Sequence, residues 1–309
     1  MHIAIMAAGG VGGFLAAHLL QHGADEVTLI ARGAHLAALR DHGLTLIGDQ
    51  ATLTVPVPRV TDDPASVGPV DAVIFAVKLA DTEAAAAACR PLLGPETAVV
   101  PFQNGVESTL RVAAVLGAAH ACSGCCYVSV AIERPGVIRQ AGQFGRFLFA
   151  EADGRQSPRT EALRAALVAA GVEAPVPDAI DVELWTKFSF LIGLSGVTAA
   201  ARTTIGAVRD DPAMAAVYRR AIEEAVAVAR ARGVALADDV IARHLAFTAS
   251  LPAGMRASQA IDLERGNPLE VDWLAGAVVR LGAAAGVDTP VNATLHAVLQ
   301  PFAAGRRDG

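Results

Sequence analysis

The chain has 309 residues, a length that suits two domains of ordinary size. Hydrophobic residues make up 53% and charged residues 18%, which supplies a sizeable core and argues against disorder. A net charge of −6 with no Lys/Arg-rich run excludes the concentrated basic face that nucleic acid needs, and no apolar stretch is long enough for a membrane span.

The opening MHIAIMAAGG lacks the basic start of a secretory leader and reads as a first buried strand over residues 2–6, so the cytoplasm is the expected compartment. A glycine-rich turn leads into a helix from residue 12 to 21, followed by strand two at 27–31 and a helical stretch at 34–42. A fully apolar strand at 72–77, a helix at 82–89 and a strand at 98–102 complete the alternation of a doubly wound parallel sheet. Segments 124–132, 136–139 and 146–150 read as antiparallel additions separated by Gly and Pro turns, and 159–170 as an amphipathic helix. Two prolines in residues 173–178 mark a linker. Beyond it the apolar period is helical, predicting helices at 181–201, 212–232, 238–250, 269–285 and 291–302. The organisation is thus an α/β domain over 1–177 and an all-helical domain over 178–309.

Four cysteines are present, Cys89, Cys122, Cys125 and Cys126. The C-x-x-C they contain has no second Cys/His pair to complete a zinc site, and it runs into a β-like stretch rather than opening a helix. These are expected to be small buried residues, and no metal is expected.

The first strand runs into Ala7-Ala8-Gly9-Gly10-Val11-Gly12. A G-x-G-x-x-G dinucleotide fingerprint would lie here with alanine in place of its first glycine, an exchange that suits a negative φ at Ala7. Gly9 would let backbone approach a pyrophosphate, Gly12 would let the helix pack close to the sheet, and the NH groups from Gly10 and Val11 onward would face phosphate. A plain strand-to-helix turn is the other reading. Strand two ends on Ala31-Arg32 with no acid to bind ribose hydroxyls, whereas Asp25 and Glu26 fall at its opposite end. Arg32 suits a 2′-phosphate, which favours NADPH over NADH.

Of the 25 basic residues only two are lysine, Lys78 and Lys187. A chain that otherwise uses arginine keeps lysine where an ammonium with an adjustable pKa is needed. Lys78 ends the apolar strand Phe75-Ala76-Val77, and Gln103-Asn104-Gly105 ends the next, so both should emerge at the carboxyl edge of the sheet. Lys187 lies in Glu183-Leu184-Trp185-Thr186-Lys187 on the first long helix, with Trp185 expected in packing. Asn267-Pro268-Leu269-Glu270-Val271-Asp272 would begin a later helix, with Ser258 twelve residues before Glu270.

Taken in order, the glycine turn, V-K-x-x-D-T, Q-N-G, E-L-W-x-K and D-L-E-x-G-x-P-x-E-V-D resemble the ketopantoate reductase (2-dehydropantoate 2-reductase) family over nearly the whole chain. The resemblance implies a Rossmann-like N-terminal domain and a C-terminal domain like that of 6-phosphogluconate dehydrogenase. It implies NADPH-dependent reduction of a 2-oxo acid, with Lys187 as general acid and Glu270 as an acidic partner that binds the substrate hydroxyl and helps hold the lysine. It implies Asn104 at the junction of cofactor and substrate, Lys78 near the nicotinamide ribose and Ser258 at the substrate carboxylate. Gly9, Gly10, Val11, Gly12 and Arg32 carry over as cofactor contacts.

Three positions depart from the family. Leu191 and Ser195, one and two turns after Lys187, stand where the family has substrate-binding asparagines, and Ile205 replaces a third in the following loop. Ser195 retains a hydroxyl that could reach substrate, but the pocket as a whole should be more apolar. Ketopantoate is the leading substrate, with another 2-oxo acid, a ketone or an imine as alternatives and a catalytically silent NADPH sensor as a different class. The apolar second-domain helices suggest a homodimer.

Overall fold

In the computed structural model, which describes residues 1–23 and 26–305, the chain divides into two compact units. The first comprises Met1–Gln103 and Glu107–Ile180, and the second Asn104–Val106 and Asp181–Gly309. The main break therefore falls three residues beyond the sequence-based boundary, where the first long helix starts. The short Asn104–Val106 excursion has no counterpart in the sequence reading.

In the first unit, apolar β1 (His2–Met6) leads through the glycine turn to α1 (Gly10–Gln21), β2 (Glu26–Ile30) and α2 (Gly33–His42). A short hairpin of β3 (Leu44–Ile47) and β4 (Thr52–Val55) follows, then β5 (Val60–Thr61) and β6 (Val70–Phe75). The chain continues through α3 (Thr82–Ala88), β7 (Leu93–Pro101), α4 (Ser108–Leu116), β8 (Cys122–Arg134), β9 (Val137–Glu151) and α5 (Pro158–Ala169). Ser157 caps α5 through a capping box with Thr160, which explains the helix start at Pro158. The hairpin β3–β4, helix α4 and the continuity of β9 were not anticipated. Asp25 lies outside the described residues.

The principal sheet is parallel, in the order β5-β2-β1-β6-β7. The strand order reverses between β1 and β6, the switch point at which doubly wound sheets bind ligands. Register places Ile30 beside Met6, Met6 beside Phe75 and Phe75 beside Pro101. Four strands thus end level, and the loops after them share one edge. A second sheet, β4-β3-β9-β8, covers the other side of α1. That sandwiching explains why α1 is apolar nearly all round, with Phe14, Leu15, Ala16, Ala17 and Leu19 buried. The four cysteines are reduced and buried, as expected, and burial pushes Cys89 and Cys122 up to about 12.

The second unit is helical: α6 (Ile180–Ala200), α7 (Ile205–Asp210), α8 (Pro212–Ala231), α9 (Val240–Ser250), α10 (Ser258–Arg265), α11 (Ala275–Ala285) and α12 (Pro290–Leu299). Helices α7 and α10 fall in stretches read as loop. The expected helix at 269–285 starts only at Ala275. Trp185 and Phe188 meet edge to face at 5.5 Å in a core shared with Ile192, Ile222 and Val226. No described helix is long and apolar enough to cross a membrane.

One buried group makes this unit sensitive to acid. His244 of α9 lies 2.9 Å from Ser189 Oγ of α6, and desolvation lowers its pKa from 6.5 to about 4. Folded protein therefore refuses a proton that unfolded protein accepts between those two values, so this contribution is complete above pH 6.5 and is lost as pH falls towards 4. At 1.36 kcal/mol per unit, the loss is about 3 kcal/mol. Urea unfolding across this window should show that fall, and His244→Gln should lack it. Parallel pH profiles for the two proteins would refute the assignment.

Candidate active site

The glycine turn at the switch point is built by close packing. A Cβ on Gly12 would stand 2.2 Å from Ala7 O and 2.8 Å from Ile5 Cγ2, so only glycine lets α1 lie this near β1. A Cβ on Gly10 would meet Val130 O of β8 at 2.8 Å, so the second sheet also forces glycine there. Gly9 differs: a Cβ there would meet nothing within 4 Å. It faces open space beside the start of α1, where backbone NH groups lack helical partners, while Val11 is half-buried against the core. Ala7 departs from expectation. Its φ is +69, left-handed rather than negative, because the tight exit from β1 needs that conformation whether or not the residue is glycine. An alanine there stores about 1–2 kcal/mol of backbone strain.

Arg32 is exposed at the N-cap of α2, directly after the end of β2, and makes no ion pair among the described residues. Glu26 sits at the other end of β2 and pairs with Arg59 at 2.9 Å. Lys78 is exposed in the loop after β6, and that loop is held on both sides. Gln103 Nε2 donates to Val77 O at 3.1 Å and to Thr82 Oγ1 at 2.9 Å. Arg111 of α4 donates to Leu79 O at 2.8 Å and grips Glu83 through two bonds of 2.7 Å, which hold the Glu83 carboxyl below its usual range. Gln103 was visible in the Q-N-G motif without a role. Arg111 had no sequence signal, since its helix went unread.

In the helical unit, Lys187 Nζ donates to Asn104 Oδ1 at 2.9 Å, with both side chains half-buried. Residues 83 positions apart are thereby brought together, and Val106 anchors the Asn104 segment against the helical core. The lysine makes no ion pair among the described residues. A neutral amide oxygen takes the ammonium, a partner that the sequence reading did not assign to it. Leu191 and Ser195 follow on the Lys187 face at intervals of four residues. Leu191 is half-buried, whereas Ser195 is 1% exposed and its Oγ has no protein partner.

The remaining positions are less concentrated. Glu270 is half-buried in the turn before α11 rather than in a helix's first turn. Its carbonyl accepts from Trp273 N and Leu274 N, but Leu274 leaves helical geometry and the helix begins after it. Ser258 is exposed at the first position of α10. Ile205 is the first residue of α7, fully buried in the core, so it is a packing residue rather than a pocket wall. Trp185 is likewise core.

Comparison with known proteins bears on both units. Residues 3–154 match the family described as ketopantoate reductase PanE/ApbA, and residues 179–303 match its C-terminal domain. A 2-dehydropantoate 2-reductase of Mesorhizobium japonicum is 34% identical, covering 97% of this chain and 96% of the relative. Another, of Halobacterium salinarum, is 31% identical over the full length of both chains. A crystal structure of a PanE/ApbA family ketopantoate reductase from Ralstonia eutropha superposes with a TM-score of 0.90 at 33% identity, covering 98% of each chain.

Proposed function

This chain belongs to the ketopantoate reductase family, and we propose that it reduces 2-dehydropantoate to pantoate with NADPH as the reductant. The observation that carries this reading is the Lys187–Asn104 pair, an ammonium fixed by a side-chain carbonyl and retained in a chain with one other lysine.

The N-terminal turn fits a dinucleotide. Open space over Gly9 suits a pyrophosphate, and the N-terminus of α1 offers NH donors and a positive dipole to it. Arg32 holds the 2′-phosphate, and Lys78, steadied by Gln103 and Arg111, meets the nicotinamide ribose. NADPH, when bound, supplies hydride to the C2 carbonyl carbon.

The protein's own part is to manage charge and position. As the carbonyl oxygen gains negative charge, Lys187 Nζ stabilises it and passes it a proton, becoming a neutral amine that solvent reprotonates. Asn104 Oδ1 aims Nζ by taking one of its three N–H bonds and leaves two for substrate. Glu270 accepts from the substrate hydroxyl and Ser258 donates to its carboxylate. Ser195 Oγ, buried without a protein partner, supports a further polar contact deeper along the same helix face.

Leu191 beside Lys187 favours a second substrate reading, a 2-oxo acid with a more apolar tail. Following NADPH absorbance with ketopantoate and a panel of other 2-oxo acids separates the two. Rapid turnover of ketopantoate supports the first reading, and turnover of another acid alone supports the second. No turnover of any, with NADPH still bound, would overturn both in favour of an imine or ketone reductase or a silent NADPH sensor. We further assign the protein to the cytoplasm as a homodimer, the latter supported by exposed Val217, Phe247 and Val298 on the helical unit.

A further inference from the structure

Within the first unit, one side chain outside the dinucleotide fingerprint touches its backbone. His35, half-buried in the first turn of α2, places Nε2 2.8 Å from Ala8 O. Its other ring nitrogen, Nδ1, accepts the backbone N–H of Gly136 at 3.1 Å, in the turn between β8 and β9. A backbone N–H can only donate, so Nδ1 must be unprotonated and the ring proton must sit on Nε2, donating to Ala8 O. A single neutral tautomer satisfies both bonds.

The Ala8 carbonyl belongs to the Ala8–Gly9 peptide. That peptide is planar and trans, so its C=O and the Gly9 N–H point in opposite directions. Fixing Ala8 O on His35 therefore turns Gly9 N–H away from His35. Ala8 N–H is fixed as well, donating to Ile30 O at 3.1 Å. The turn needs such restraint: Ala7, next to it, is held at φ +69, and glycine at 9 gives the following peptide rotational freedom. His35 also lies one turn from Arg32 on the same helix, so the bond to Ala8 ties the start of α2 to the turn.

We propose that His35 is a positioning residue for the dinucleotide, acting through Ala8 O to orient the Gly9 peptide toward a pyrophosphate. It touches no reacting atom. The inference rests on the cofactor reading above and adds to it a residue outside the glycine fingerprint.

Two near-isosteric variants divide the two ring nitrogens between them. His35→Gln puts an amide where Nε2 stood and keeps a donor for Ala8 O. His35→Asn puts its amide where Nδ1 stood, keeping an acceptor for Gly136 N–H and losing the bond to Ala8. NADPH and NADH are titrated by fluorescence into wild type and both variants, with thermal unfolding in parallel. The Asn variant should bind NADPH about tenfold more weakly and the Gln variant within about twofold of wild type, both with near-native melting. On apo wild type, side-chain ¹⁵N NMR should report His35 as the Nε2–H tautomer. Wild-type affinity in a folded Asn variant, equal weakening in both variants, or an Nδ1–H tautomer would overturn the role of His35 alone. Wild type that binds neither nucleotide would overturn the cofactor reading and this inference together.

Discussion

Replacing Lys187 with methionine is expected to lower kcat by about 10²–10⁴-fold while the Kd for NADPH stays within about twofold of wild type. Methionine keeps the length and the apolar stem of the side chain, so α6 should pack as before and the loss should fall on the proton and the charge. Lys187→Arg should not rescue. A guanidinium can bond Asn104 Oδ1, but it does not release a proton at neutral pH. Asn104→Ala should act more mildly, because Nζ remains present and loses only the 2.9 Å bond that aims it. The graded order, wild type above Asn104→Ala above Lys187→Met, is the signature of an acid and the group that positions it. Undiminished turnover in Lys187→Met would remove the lysine from the mechanism and transfer the protonation step to another donor. Rapid-mixing measurement of hydride transfer at saturating NADPH separates this effect from slow product release.

Where much of the candidate site falls in the fold was legible because its parts are local. The glycine turn, Arg32 after β2 and Lys78 after β6 each follow a short apolar strand, and period-two or continuous apolar runs locate such strands well. The level ends of β2, β1, β6 and β7 then gather those loops on one edge. Contacts between distant segments were not legible. Nothing in Gln-Asn-Gly announces that Asn104 joins the helical unit and meets Lys187. Ala7 was misjudged for a related reason: the turn's path fixes φ, and the residue tolerates it at a cost. Helices α7 and α10, with six and eight residues, are too short to display a period of 3.6 clearly. Reading Ile205 as part of a pocket followed from missing α7, since a loop residue there would face outward and a helix start there is core.

The largest stability effect is expected at Glu224, which no motif marked. This glutamate lies mid-way along α8, 5% exposed among Ala221, Ile222 and Ala225. A buried carboxylate is costly unless fully bonded, and the start of α12 supplies the bonds. Glu224 Oε1 accepts Val291 N–H at 2.9 Å, and Oε2 accepts Asn292 N–H at 2.9 Å and Asn292 Nδ2 at 2.7 Å. Helix starts leave their first NH groups without helical acceptors, and Pro290 at the first position already removes one donor. The carboxylate satisfies the next two from a neighbouring helix and sits at the positive end of the α12 dipole. Glu224→Ala would strand three N–H donors in one stroke, two of them buried, at a cost of about 3–5 kcal/mol. Glu224→Gln should cost less, because the amide oxygen still accepts while its NH₂ faces donors. Urea titration should show the midpoint falling in the order wild type, Gln, Ala with the slope unchanged. An alanine variant within about 1 kcal/mol of wild type would mean that water reaches this junction and replaces the carboxylate.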